Sequence, residues 1–333
     1  MTGSKIAAID LGTVSSRLLC ATMRDGVPAD SRKHTVITDL GEGVDATGRF
    51  TDAAVERVLH ACAEFIEEAR AYGAQAVSTT LTSAARDASN AAELLDGLRA
   101  LGLIPQVIPG EVEARLTFYG VAHDFPAQRI AVMDSGGGST EFALGSYVPG
   151  TALELDEAQS LDIGCRRATE RFFNALPPMG EELEALSVWA REQFARFWGH
   201  AGKRPDRLVA VGGTVTSLVA LVHELAVYDS HFVHLRDLTQ EQVDGCIERM
   251  AGMTAEQIAA LPGIQAKRAP VILAGAVVIR EAMRTGGYDS LTVSENSLLA
   301  GAAATIAEAR AGKVTAIGWT PELAMLQGKH NAG

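Results

Sequence analysis

The chain has 333 residues, 47% of them hydrophobic and 21% charged, with a formal net charge of −12. That length is long for one core and comfortable for two domains. The negative balance argues against nucleic acid as a general partner, because such binding rests on a basic footprint. Met1-Thr2-Gly3-Ser4-Lys5 leads straight into a strand pattern without a signal-peptide core. The least charged stretch, 208–221, is broken by Gly212-Gly213-Thr214 and reads as strand, turn and helix rather than a membrane span. The expectation is a cytoplasmic protein with no membrane partner.

In chain order, 5–10 and 16–23 read as strands flanking a tight loop, and 33–40 as a third strand before the turn Gly41-Glu42-Gly43. Asp52 is placed to cap a helix over 53–72, whose Val55, Leu59, Cys62, Phe65, Ile66 and Ala69 share one face, with Gly73 at its end. A strand over 74–80, a helix over 90–101, a short edge strand over 104–108 and a helix over about 111–118 follow. The pattern restarts after Pro126-Ala127-Gln128, a hinge candidate. Strands are expected over 130–134, 141–144 and 153–161, then helices over 165–175 and 180–198. A strand over 208–211 and a helix to about 225 come next, then helices over 239–251, 254–260 and 269–284. A strand over 291–293 and a helix over 297–311 complete the pattern. The domains read as 1–125 and 126–312, the last helix able to pack back on the first, with 313–333 a loose tail. Cys20, Cys62, Cys165 and Cys246 show no C-x-x-C spacing, and Cys20 and Cys62, in apolar patterns, read as buried thiols.

Two loops carry the chemistry. Asp10-Leu11-Gly12-Thr13-Val14-Ser15-Ser16 and Asp134-Ser135-Gly136-Gly137-Gly138-Ser139-Thr140-Glu141 each follow an apolar strand, 124 residues apart. The glycines let backbone N–H groups approach an anion, the hydroxyls donate, and the carboxylate suits a hard cation. Two such loops, each opening a similar α/β half, suggest a duplicated fold with phosphates held in the cleft between halves.

Five segments resemble the exopolyphosphatase/guanosine pentaphosphate phosphatase family of the actin/Hsp70/sugar-kinase superfamily. The two loops look like its phosphate loops. Thr82-Ser83-Ala84-Ala85-Arg86-Asp87-Ala88-Ser89-Asn90, Gly110-Glu111-Val112-Glu113-Ala114-Arg115-Leu116 and Val211-Gly212-Gly213-Thr214-Val215-Thr216 look like its other motifs. Departures are Val14 for the usual Asn, Ser135 for an apolar residue, and Leu299 where Arg is frequent. The resemblance implies two actin-like (ribonuclease H-like) α/β domains with mixed sheets flanked by helices and an interdomain active site. It implies metal-dependent hydrolysis of the terminal phosphate of inorganic polyphosphate, with short chains favoured because this short form lacks C-terminal helical domains. Guanosine pentaphosphate (pppGpp) is the alternative substrate, and a homodimer is implied.

Residue by residue, the matched position makes Glu113 the general base, with Glu111 its confusable neighbour about 200° round the helix. Asp134 and Glu141, with Asp10 contributing, are expected to hold Mg²⁺, with Mn²⁺ as a substitute. Gly12, Thr13, Ser15, Gly136, Gly137, Gly138 and Ser139 are the expected phosphate donors, and Arg86 the expected contact to the substrate chain. Gly212 and Gly213 correspond to the superfamily's adenosine turn, or are simply a tight strand–helix turn. Lys267, Arg268 and Arg166-Arg167 read as a basic track for a polyanion or as a solvated face, and His231 and His234 as loop histidines or a metal pair. A kinase would usually need an Asp base in the second half. A non-catalytic sensor would bind without releasing phosphate.

Overall fold

A computed structural model describes residues 4–24 and 27–326. The chain divides into two compact units, one of residues 1–123, 148–153 and 298–333, the other of 124–147 and 154–297.

The first unit begins with β1 (Ser4–Leu11), β2 (Ser15–Arg24) and β3 (Val27–Ile37), followed by α1 (Val44–Thr47), α2 (Asp52–Tyr72), β4 (Ala76–Leu81), α3 (Ser83–Asp87), α4 (Ala91–Ala100), β5 (Pro105–Val107) and α5 (Gly110–Ala122). β1 lies between antiparallel β2 and parallel β4, and its residues from Ile6 to Leu11 are all buried, as a continuous apolar run demands of a central strand. The cap of α2 is Thr51, not Asp52. Thr51 accepts the Ala54 N–H and leaves Asp52 as the favourable acid of the first turn. Gly73 closes the helix with a φ of 84°. Its buried face is Ala54, Val58, Ala61, Cys62, Phe65, Ile66 and Ala69, with the expected Val55 and Leu59 at its half-buried margin.

The second unit repeats the plan with β6 (Ile130–Ser135), β7 (Thr140–Ser146) and β8 (Glu154–Leu161), then α6 (Cys165–Phe172), α7 (Gly180–His200), β9 (Leu208–Val211) and α8 (Gly213–Val222). It ends with α9 (Ser230–Val233), β10 (Arg236–Thr239), α10 (Gln240–Ala251), α11 (Ala255–Ala259), α12 (Ala269–Gly286) and β11 (Ser290–Val293). β6 is flanked by antiparallel β7 and parallel β9, as β1 is by β2 and β4. Phe142 stacks on Phe197 at 4.6 Å and meets Phe194 and Trp198 edge-on, anchoring α7 to the sheet.

Sequence reading misses β10, an edge strand in which Leu238 alone is buried, and α1, α3 and α9, too short for a period to register. The helix α13 (Leu298–Arg310) lies in the first unit and packs on α5, β1 and β2.

The described part of the segment read as a loose tail is built into the first unit. The Leu153 N–H donates to Ala316 O, Ile317 is buried, and β12 (Ala324–Met325) pairs with the edge of β4 that β5 leaves open. Residues 327–333 lie outside the described residues. Removing 313–333 is expected to lower the unfolding free energy by about 2–4 kcal/mol in urea titration, from lost burial of Ile317 and Ala324 and an opened strand edge. An unchanged midpoint would make the segment dispensable.

All four cysteines are buried and free. Burial pushes the thiols of Cys20 and Cys246 up to about 11 and that of Cys62 up to about 12, and raises Cys165 as well. The native state therefore keeps protons that the unfolded chain, at 9.0, releases. Stability should fall as pH rises above 9, and a thiol reagent at pH 8 should modify no cysteine until the chain is unfolded. Rapid labelling of the native protein would contradict this burial.

Candidate active site

In the first unit β1 delivers Asp10 at its end, fully buried, and the chain turns through Gly12 to Ser15. The Gly12 N–H closes the turn on Ser15 O at 3.0 Å. Thr13 O accepts from the Gly41 N–H at 2.8 Å, and Val14 O accepts from the N–H groups of Thr38 and Asp39. Val14 itself is buried, so its apolar side chain serves the core. Directly across the hairpin from Asp10 stands Arg17, whose Nε donates to Asp10 Oδ2 at 2.9 Å and whose Nη2 donates to the same oxygen. The other oxygen, Oδ1, is buried without a hydrogen-bond partner among the described residues.

The second unit builds its loop the same way. The Gly136 N–H donates to Ser139 O at 3.0 Å, Gly136 O accepts from the Cys165 N–H, and Gly137 O accepts from the N–H groups of Arg166 and Arg167. Gly41 and Gly164 hold matching places. A Cβ at Gly41 would come 2.2 Å from Thr13 Cγ2, and one at Gly164 2.5 Å from the Gly137 carbonyl. Across this hairpin Asp134 faces Glu141, whose Oε1 accepts from Ser160 Oγ at 2.6 Å. Both carboxylates are buried.

These bonds revise the donor set. Gly12 and Gly136, expected to donate to phosphate, spend their N–H groups on closing their own turns. The N–H groups of Thr13, Val14, Gly137 and Gly138 enter no backbone hydrogen bond among the described residues, which leaves two adjacent amides in each loop to donate elsewhere. Thr13 and Ser139 are buried in their loops, and Ser15 is half-buried.

The two first-turn glutamates of α5 separate cleanly. Glu111 is exposed and bonds Arg115 at 3.0 Å along the helix, whereas Glu113 is 7% exposed. Glu113 Oε2 accepts from Arg86 Nη1 at 2.8 Å, and the same nitrogen donates to Ile108 O at 3.0 Å. Arg86, expected on the substrate, thus fixes the orientation of Glu113.

At the end of β9, Gly212 adopts a φ of 107°, and a Cβ there would come 2.7 Å from Ser135 O and 3.3 Å from Asp134 Oδ1. A side chain is excluded by the neighbouring strand. Gly213 leaves room for the Arg268 guanidinium, which would lie 2.1–2.4 Å from a Cβ there. Near it the Tyr228 hydroxyl donates to Glu295 Oε1, and desolvation together with the Glu295 carboxylate pushes the phenol well up. Arg167 Nε donates to Gly138 O at 2.8 Å and Arg166 pairs with Glu170 at 3.3 Å, so these arginines brace the loop and α6 rather than lining an open track. Lys267 is exposed. His234 Nδ1 accepts from the Glu295 N–H at 3.2 Å, and its Nε2 lies 3.7 Å from Asp124; His231 lies on α9 behind its Asp229 cap. Among the described residues no group of three or more His, Cys, Asp or Glu side chains is arranged to hold a metal.

Arg17 and Ser160 escaped the sequence reading. The signal existed, since Asp10 to Arg17 and Asp134 to Glu141 have the same seven-residue spacing across a hairpin.

Mixed sheets flanked by helices, with one strand plan used twice, give the chain the duplicated α/β architecture of the actin-like fold. The chain belongs to the Ppx/GppA phosphatase family, whose pattern matches residues 20–307. It is 35% identical over 332 residues to Exopolyphosphatase 2 of Mycobacterium tuberculosis, covering 91% of this chain and 99% of that protein. The crystal structure of the Aquifex aeolicus Ppx/GppA family member superposes with a TM-score of 0.75 at 30% identity, covering 91% of this chain and 97% of that one. An exopolyphosphatase from Cytophaga hutchinsonii shares the fold with a TM-score of 0.82 at 24% identity, over 92% and 98% of the two chains.

Proposed function

We propose that this protein is an exopolyphosphatase that removes the terminal phosphate of inorganic polyphosphate, with short chains favoured and a divalent metal required. Its family makes it a phosphoanhydride hydrolase. The observation that carries the finer reading is the buried Glu113, held by Arg86 and kept apart from the solvent-facing Glu111. A carboxylate of fixed orientation is what an attacking water needs as proton acceptor. The amides of Thr13-Val14 and Gly137-Gly138, which enter no backbone hydrogen bond among the described residues, are candidate donors to phosphoryl oxygens.

The donor set suits Mg²⁺, with Mn²⁺ as a substitute. Asp10, Asp134 and Glu141 are hard oxygen donors, and Asp10 Oδ1 is a buried acceptor without a partner among the described residues. Mg²⁺ takes one or two protein carboxylates and completes its shell with water and phosphate, so it does not need a group of three or more ligating side chains, which is not found among the described residues. Such an ion would neutralise phosphate charge and raise the electrophilicity of phosphorus.

The test is phosphate release from short polyphosphate, long polyphosphate, pppGpp and ATP, with and without Mg²⁺. Metal-dependent release that is fastest from short polyphosphate is expected. Fastest release from pppGpp would reassign the substrate, and binding without release from any of them would make the protein a sensor.

A further inference from the structure

Arg17 lies outside the glycine loop, and the reaction proposed above gives it no task. Its Nε and Nη2 both donate to a single oxygen of Asp10, Oδ2. The Asp10 side chain is 1% exposed, that of Arg17 23%, and Asp10 Oδ1 stays unpartnered among the described residues. A buried carboxylate oxygen without a donor is costly, and a native fold that keeps one commonly has a use for it. We infer that Arg17 is a positioning residue: it consumes Oδ2, fixes the carboxylate plane, and presents Oδ1 as the one acceptor offered to a hard divalent cation or to the water that cation carries. The inference rests on the metal-dependent reading above.

The duplicated hairpin supplies a second argument. The position opposite the loop aspartate is Arg17 in the first unit and Glu141 in the second. One fold position therefore carries opposite charges in the two halves. The second loop presents a pair of carboxylates, whereas the first presents one, half-neutralised and oriented. A guanidinium achieves this because its planar fork grips through two nitrogens at once; a lysine ammonium is a single flexible point charge and leaves the carboxylate free to rotate.

The experiment is a double-mutant cycle on the full chain with Arg17→Lys, Asp10→Asn and both together. Mn²⁺ binding is followed calorimetrically without substrate, and phosphate release from short polyphosphate in parallel. Arg17→Lys should weaken Mn²⁺ roughly tenfold, Asp10→Asn at least as much, and the double variant no more than Asp10→Asn alone. Arg17→Met serves as a neutral companion, with thermal unfolding confirming that each variant is folded. Effects that multiply in the double variant would overturn the inference, because Arg17 would then act independently of Asp10. Wild-type Mn²⁺ affinity in folded Arg17→Lys, or no Mn²⁺ binding by the parent chain, would overturn it as well. A coupled loss of Mn²⁺ affinity with no phosphate release from any substrate would support it while removing the hydrolase reading.

Discussion

Glu113→Gln is expected to lower turnover by roughly 10²-fold or more while leaving substrate and metal binding largely in place. The substitution keeps the volume of the side chain and an oxygen able to accept from Arg86 Nη1, so the clamp and the α5 turn should survive. What it removes is the ability to take a proton from water. The readout is kcat against KM for short polyphosphate, with the thermal midpoint as a check on folding. Turnover like that of the parent would remove Glu113 from the base role. Arg86→Ala separates the two parts of the pair. It leaves the carboxylate but frees its orientation, and it withdraws the donor to Ile108 O. A rate loss in Arg86→Ala with little change in KM would mark Arg86 as acting through Glu113, whereas a rise in KM with kcat retained would return it to the substrate contact first expected.

Asp134→Asn should raise the Mg²⁺ concentration for half-maximal rate by about tenfold or more and weaken substrate binding with it. The physical reason is charge. Asp134 and Glu141 face each other across the β6–β7 hairpin, both buried, and two carboxylates so placed repel unless a cation or donors stand among them. Asn keeps the shape of Asp134 beside Gly212 but drops the charge that attracts a divalent ion. Excess Mg²⁺ should recover part of the rate. An unchanged Mg²⁺ profile would take Asp134 out of the metal set.

How much of this was legible beforehand depended on range. The hairpins, the long helices and both glycine loops were readable because each is specified by residues within a few positions of one another. The apolar runs before Asp10 and Asp134, the periodic face of α2 and the glycine stop at Gly73 are such local signals. Val14 and Leu299, which look like losses from a polar motif, are buried, and this shows only when the core is assembled around them. The edge strand β10 and the docked segment through β12 were missed because their pairing partners lie far away in sequence.

The sequence by itself determined the duplicated α/β plan, the placement of an acid at the head of each loop, and the pair of candidate bases on α5. Short-range sterics and hydrophobic periodicity are enough for those. Tertiary structure alone decided that Glu113 rather than Glu111 is buried and that Arg86 grips it from another helix. It also decided that Arg17 grips one oxygen of Asp10 through two nitrogens, and that Gly12 and Gly136 close their turns instead of donating outward. Each of these is a choice of hydrogen-bond partner, and a donor's partner is fixed by strand register and helix packing that no local pattern encodes.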